Sequence, residues 1–313
     1  MNTEKILKAG KIASQTKAYA RTIVKKGVPL LEIAEKIEAK ILELEGKPAF
    51  PVNLSINEVA AHYTPSHDDK ALASGLLKVD FGVHVDGWVA DNAFSVDLDD
   101  GDENKKLIKA SEEALENAIE LVKSRINVNN KSNISEDSSI KTASERGSGN
   151  ITTNKIGSVI SKTIEASGFS PIINLSGHSM EHYSLHAGIT IPNIDDGKTI
   201  KLEEGLYAIE PFATPGSGKV RDGKPSGIYE LKSEKSPRSP LAREILDFIK
   251  EEYNTLPFCS RWIFKKFKAR GLFALKELEA NGNLHHFSQL VEVSNSKVSQ
   301  AEQTIFIDKE GRV

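Results

Sequence analysis

Cysteine is all but missing: Cys259 is the single one, so no intrachain disulfide can form. The expected state of that thiol is a small, buried, apolar side chain in a reducing compartment. No run of about 18 apolar residues occurs anywhere, so no membrane-spanning helix is expected. The opening stretch Met1-Asn2-Thr3-Glu4-Lys5-Ile6-Leu7 lacks the uninterrupted apolar segment of a signal peptide, and the cytoplasm is the expected location. Charge of one sign is not in excess either. A net charge of −3 and a pI near 6.3 give no global electrostatic case for binding DNA or an anionic membrane. No fixed-period repeat is present. What remains is ordinary globular material: 313 residues, 39% hydrophobic and 27% charged, enough for one large domain or two modest ones with a sizeable core.

The first segment reads as two amphipathic helices. Ile6, Ala9, Ile12, Ala13, Tyr19, Ala20, Ile23 and Val24 recur near helical spacing, then Gly27 and Pro29 punctuate. Leu30, Ile33, Ala34, Ile37, Ile41 and Leu44 form a second stripe, ended by Gly46 and Pro48. From Phe50 to about Val96 the pattern changes to short β-favouring runs. The clearest are the two flanking Asp86-Gly87, a dipeptide suited to a type I′ hairpin turn. A helix follows over roughly Glu103–Val122. Residues from about 127 to 150 are rich in Ser, Asn, Lys and Glu and bury too little to offset their ordering entropy, so a flexible polar insertion is expected there. A further helix is predicted at about Asn154–Ala166. The stretch from about Ile228 to His286 is expected to be mostly helical, with Ser239-Pro240 as a cap and first-turn proline, before strands resume at Leu290–Val293 and Ala301–Ile307. This order predicts an α+β fold with a helical insertion.

The hairpin carries the first hint of chemistry. With Asp86 and Gly87 as its loop, Asp91 lies opposite Gly82, and Asp80 shares a face with Gly82 because side chains alternate with period two. Asp80 and Asp91 are then diagonal neighbours, roughly 7–8 Å apart at the backbone, close enough to converge on a cation. The same pair also fits a solvated strand. His178 follows a glycine that permits close backbone passage, Glu210 ends the strand-like run Leu206-Tyr207-Ala208-Ile209, and Glu302 lies inside a β-favouring run. Each alone fits a structural or edge-strand charge equally well. Together they would form a site of four carboxylates and one imidazole, a donor set suited to Mn, Fe(II), Co or Zn, and able to hold two divalent ions.

Several blocks in order resemble the type II methionine aminopeptidases of the creatinase or "pita-bread" superfamily, in their shorter archaeal form. They are Pro48-Ala49-Phe50-Pro51-Val52-Asn53, Ala60-Ala61-His62-Tyr63-Thr64-Pro65, Val79-Asp80-Phe81-Gly82 and Ala90-Asp91-Asn92-Ala93. The remainder are Gly177-His178-Ser179 with His186-Ala187-Gly188, Tyr207-Ala208-Ile209-Glu210-Pro211-Phe212, and Gln300-Ala301-Glu302. The resemblance spans nearly the whole chain. It implies a pita-bread fold: a curved antiparallel sheet with a pseudo-twofold, formed by 1–227 and 289–313, plus a winged-helix-like helical insertion at 228–288. It implies two divalent metal ions held by Asp80, Asp91, His178, Glu210 and Glu302, with Glu210 also the general base. By the same resemblance His62 and His186 touch the scissile peptide and stabilise developing charge, while Phe50, Leu185, Phe212 and Ile228 wall a methionine pocket.

The implied activity is removal of the initiator methionine from peptides and nascent chains, by a monomer. Other readings on the same scaffold are a proline dipeptidase or aminopeptidase P, which usually carry a separate N-terminal domain, and a catalytically silent binding protein, which would have lost ligands. The cluster Arg261, Lys265, Lys266, Lys268 and Arg270, interleaved with Trp262, Phe264 and Phe267, is either an amphipathic helix with a solvated basic face or an RNA- or ribosome-binding segment. Departures from the family pattern are Ala301-Glu302-Gln303 in place of Phe-Glu-His at the last ligand, expected to alter packing beside the metal, and Phe287 in place of a pocket tyrosine. His67, His84, His182, His285 and His286 match no family role and are expected at the surface or supporting the site.

Overall fold

The computed structural model of the chain describes residues 1–132 and 151–310, and over 125–132 the backbone alone. Two helices come first, α1 (Thr3–Ile23) and α2 (Leu30–Glu43). Their buried faces are the predicted stripes, Ile6, Ala9, Ile12, Ala13 and Ala20 on one and Leu30, Ile33, Ala34, Ile37 and Ile41 on the other. Gly27, with φ of +81°, turns the chain between them, a conformation a Cβ would disfavour.

The strands that follow are β1 (Lys47–Pro48), β2 (Asn53–Ile56), β3 (Val59–Ala61), β4 (Leu76–Val85) and β5 (Trp88–Asp97). Helices α3 (Asp102–Ser132) and α4 (Thr153–Ala166) come next. They lead to β6 (Ser170–Pro171), β7 (Ser176–Met180), β8 (Thr190–Pro192), β9 (Gly205–Ile209), β10 (Phe212–Thr214) and β11 (Val220–Leu231). The chain ends through α5 (Pro240–Tyr253), β12 (Phe258–Cys259), α6 (Ser260–Ala280), β13 (Leu284–Glu292), β14 (Ser299–Gln300) and β15 (Glu302–Ile307).

The main sheet is antiparallel, in the order β1-β4-β5-β15-β9-β7-β8, with β2 also paired to β4. One face is covered twice. α1 and α2 pack over Val79, Phe81, Val83 and Phe94, and α3 and α4 over Tyr207, Ile209, Ile305 and Ile307. Apolar burial on that face leaves the alternate residues of the same strands on the other, and this is where the polar groups collect. The fold is the expected α+β pita-bread arrangement.

Two boundaries move. α3 runs on to Ser132, so residues 127–132, expected in the polar insertion, are helical, and the remainder of that insertion, 133–150, lies outside the described residues. The segment expected to be mostly helical from Ile228 is bracketed by strands: β11 reaches Leu231 and β13 starts at Leu284, so 228 and 288 both fall inside strands. Between them α5 and α6 enclose a small core of Ile245, Ile249, Phe258, Ile263 and Leu278. Ser239 caps α5 as predicted, its hydroxyl accepting from Ala242 N at 3.1 Å ahead of Pro240. β12, β11, β13 and β3 form one sheet, which stitches the insertion to the segment just before His62. Among the described residues no helix is long and apolar enough to cross a membrane.

Candidate metal centre

The hairpin has the predicted turn and register. Asp86 and Gly87 have φ of +49° and +78°, as a type I′ turn requires, and Gly82 pairs with Asp91 and Asp80 with Ala93. Ala93 pairs on its other side with Glu302, so Asp80, Ala93 and Glu302 form a row across β4, β5 and β15. His178 sits opposite Ala208, two residues before Glu210. The small residues Gly82, Ala93 and Ala208 thus form a low floor from which the larger polar side chains rise. Five neighbouring strands, β4, β5, β15, β9 and β7, each contribute one of the five residues, Glu210 immediately after β9.

Gly177 is part of the same geometry. A Cβ there would lie 2.2 Å from the carbonyl oxygen of Ala208, so only glycine lets β7 approach β9 closely enough to aim His178. Gly177→Ala is therefore expected to destabilise the fold by about 1–3 kcal/mol, because backbone must shift to admit the methyl. A denaturant midpoint indistinguishable from that of the parent would show that the approach is not needed.

The side chains converge. His178 Nε2 is 3.7 Å from both Asp91 Oδ2 and Glu210 Oε1. Gln300 Nε2 faces Asp80 Oδ2 at 3.5 Å and Glu302 Oε2 at 3.4 Å. Ligand atoms of Asp91, His178 and Glu302 all lie within 4.8 Å of one another. Thr304 fixes the Asp91 backbone from the next strand, its hydroxyl accepting from Asp91 N at 2.7 Å and donating to Asp91 O at 3.0 Å.

Burial pushes the Asp80 carboxyl up to about 7. Asp91 is driven well above the usual carboxylate range by burial and then by the charge of Asp80. Glu210 and Glu302 are raised by burial and by the other acids of the cluster. Burial holds His178 down to about 3, which keeps it a neutral donor nitrogen. Asp80 Oδ1 and Asp91 Oδ1 are buried without a hydrogen-bond partner. Four acids crowded in this way cannot all stay ionised alone, and the two unpartnered carboxylate oxygens are lone pairs in want of a cation. The donor set fits a hard or borderline divalent ion.

The centre opens into a cavity of about 350 Å³ that also takes in His62, His186, Phe50, Leu185, Phe212, Ile228 and Phe287. Every residue expected in the site lines this one space. His62 Nδ1 donates to Ser288 O at 3.1 Å; since a carbonyl only accepts, Nε2 is left as the bare acceptor. Burial holds His62 down to about 4, so it stays neutral near neutral pH. The ring of His186 lies 4.4 Å from that of His178, and Phe287 meets His62 edge-on at 5.5 Å.

Two expectations are corrected. Gln303 does not sit beside the acids: alternation along β15 turns it to the opposite face from Glu302, where it is exposed. Arg261 is not part of an open basic face. Its side chain is fully buried against Glu38, while Lys265 pairs with Glu35 at 2.9 Å and Arg270 with Glu244 at 3.6 Å. Residues the sequence did not single out also line the cavity, notably Asn53, Asn174 and Pro257, and Gln300 bridges two acids. Gln300 stands in the family-like block Gln300-Ala301-Glu302, but nothing in the sequence gives it a role of its own.

The metallopeptidase family M24 model matches residues 4–238. The chain is 42% identical to the methionine aminopeptidase of Pyrococcus abyssi, over 99% of this chain and 98% of that one. It shares its fold with a thermophilic Arx1, at a TM-score of 0.76 and 15% identity over 98% of this chain and 88% of that one. The methionine aminopeptidase of Thermotoga maritima superposes with a TM-score of 0.63 at 21% identity, covering 98% and 93%.

Proposed function

The chain belongs to metallopeptidase family M24, and from that premise we propose that it removes the N-terminal methionine of peptides and nascent chains, preferring a small second residue. The observation that carries this reading is the joining of a five-residue acid–imidazole cluster to an apolar slot in one cavity. Asp80, Asp91, His178, Glu210 and Glu302 would hold two divalent ions drawn from Co, Mn, Fe(II) or Zn. When bound, such ions act as Lewis acids on the scissile carbonyl and make water acidic enough to react near neutral pH.

The chain's own residues supply the rest. Phe50, Leu185, Phe212 and Ile228 enclose the unbranched thioether side chain, which sets the first residue and its reach. Glu210 is the base: its carboxylate takes a proton from the attacking water and returns it to the leaving amine. His62, neutral and with Nε2 bare, accepts from the N–H of the scissile peptide and so fixes the plane of the bond. His186, on the loop after β7, faces the carbonyl side and meets the charge that develops there. The pair α5 and α6 inserted between β11 and β13 is the mark by which we assign the chain to type II. We further propose that it acts as a cytoplasmic monomer, a setting suited to the buried free thiol of Cys259.

Protein loaded with Co or Mn is expected to release Met from Met-Ala-Ser about 100-fold faster than from Met-Leu-Ser, the order of discrimination a pocket wall gives against added methylenes. Failure on both peptides with metal shown to be bound would end the peptidase reading.

A further inference from the structure

From the segment between β11 and β13 Arg261 forms a buried ion pair with a residue outside that segment, Glu38 on α2. Arg261, the second residue of α6, has a side chain that is 0% exposed, and that of Glu38 on α2 is 8% exposed. The pair is bidentate, with Nη1 donating to Glu38 Oε2 and Nη2 to Glu38 Oε1, both at 2.7 Å. The rest of the guanidinium is spent on a different target. Nε donates to the carbonyl of Pro65 at 3.0 Å, and Nη2 reaches Thr64 Oγ1 at 3.4 Å. Thr64 Oγ1 in turn donates to Val52 O at 2.9 Å, and Glu38 is itself held by Trp262 Nε1 at 2.9 Å.

Thr64 and Pro65 directly follow His62 and Tyr63. His62 has φ of +63°, a left-handed conformation that a residue with a Cβ disfavours and keeps only where its surroundings over-determine it. The surroundings act on both sides. Upstream, Ala61 pairs with Leu290 on β13, and the Ser288 carbonyl on the same strand accepts the hydrogen bond from His62 Nδ1. Downstream, Arg261 pins Thr64 and Pro65. One anchor is β13 itself and the other is the segment inserted between β11 and β13. A buried ion pair is a poor stabiliser compared with apolar residues of equal volume, so its presence calls for a geometric reason. Fixing a strained backbone through a planar five-donor fork is such a reason.

We propose that Arg261 and Glu38 form a positioning pair that holds the His62 backbone in its left-handed conformation and so aims the imidazole into the cavity. The role of His62 in turnover rests on the peptidase reading above; its placement does not. Arg261 acts through His62 and touches no reacting atom.

The test uses full-length, metal-loaded protein and the variants Arg261→Lys and Glu38→Gln, each made alone and in a His62→Ala background. Arg261→Lys keeps the charge but loses the fork. It is expected to lower kcat on Met-Ala-Ser by about 10- to 100-fold, the scale of a misplaced contact group, with KM and bound metal little changed. In the His62→Ala background the same substitution is expected to change kcat by less than about twofold, because the residue it acts through is gone. Glu38→Gln, which preserves shape, is expected to follow the same pattern more weakly if Arg261→Lys folds poorly.

A second readout does not depend on turnover. The His62 Nδ1 proton, assigned in ¹⁵N-histidine-labelled protein by its loss in His62→Ala, is expected to exchange with water at least about tenfold faster in either variant, as local opening of the anchored loop becomes easier. A full kcat loss from Arg261→Lys in the His62→Ala background would overturn the proposal. Unchanged exchange of that proton in both variants would also overturn it. A wild-type protein that binds metal yet leaves Met-Ala-Ser intact counts against the peptidase reading, and proton exchange then decides the positioning role alone.

Discussion

Glu210→Gln is expected to lower kcat for methionine release from Met-Ala-Ser by about 10³-fold, within the range general-base groups contribute, while the protein stays folded. The amide has the shape of the acid but cannot take a proton from water. The fold has no reason to suffer, since Glu210 is crowded by Asp91 and Asp80 and raised well above the usual carboxylate range by burial and by those charges. Replacing it removes a repelling charge from a buried cluster, and strained functional sites commonly gain stability when disarmed. Initial rates from free-methionine analysis, with bound metal measured on the same samples, check this. A variant that retains more than about a tenth of the parental kcat would show that the base lies elsewhere.

Glu302→Gln is expected to act in opposite directions on metal-free and metal-loaded protein. In metal-free protein Glu302 is buried among Asp91, Glu210 and Asp80, and its carboxyl is raised well above the usual range, chiefly by burial. Asp80 is pushed up to about 7 by burial. Folded carboxyls with raised pKa values bind more protons than unfolded ones, so the contribution of this cluster to metal-free stability is fully present below about pH 4, the unfolded carboxyl range, and is lost as pH rises through about 7. Removing one acid should flatten that fall and raise the metal-free Tm near pH 7.5. The metal-loaded protein should lose instead. An ion at 100 times its Kd stabilises a fold by about 2.7 kcal/mol, and loss of a ligand moves the same concentration toward or below Kd. Thermal melts at pH 5 and pH 7.5, with and without Mn, measure all four states. A uniform drop in Tm across the four would mean that Glu302 is structural packing and no ligand.

The sequence was most legible where local geometry decides the outcome. A two-residue Asp-Gly turn leaves one register available, so the facing of Asp80 and Asp91 could be read directly and is what the strands adopt. The stripes of α1 and α2 were legible for the same reason, as period 3.6 is written in the chain. The convergence of His178, Glu210 and Glu302 on that pair is a matter of strand order, β4-β5-β15-β9-β7, which no local pattern encodes; the family resemblance alone joined them.

The misreadings have physical causes as well. Arg261 sits in a run that is basic by composition, and its partner Glu38 is 223 residues away, so burial of the charge could not be seen from either neighbourhood. Gln303 adjoins Glu302 in sequence, which suggests an effect on packing beside the metal, yet in a strand adjacent residues face opposite ways. β11 was hidden because Arg221, Asp222, Gly223, Lys224 and Pro225 interrupt its apolar pattern, with register shifts absorbed between Asp222 and Tyr229.

The central claim is that one cluster of five side chains holds the divalent ions on which methionine release depends. The most direct measurement titrates Mn into metal-free protein while following bound ion and methionine released from Met-Ala-Ser in the same samples. The two curves are predicted to rise together in the parent, and in Glu302→Gln both should shift to higher Mn concentration by about tenfold or more, the scale of a lost contact to a charged partner. Methionine release at full rate without bound ion, or a release curve in Glu302→Gln that superimposes on the parent, would contradict the claim.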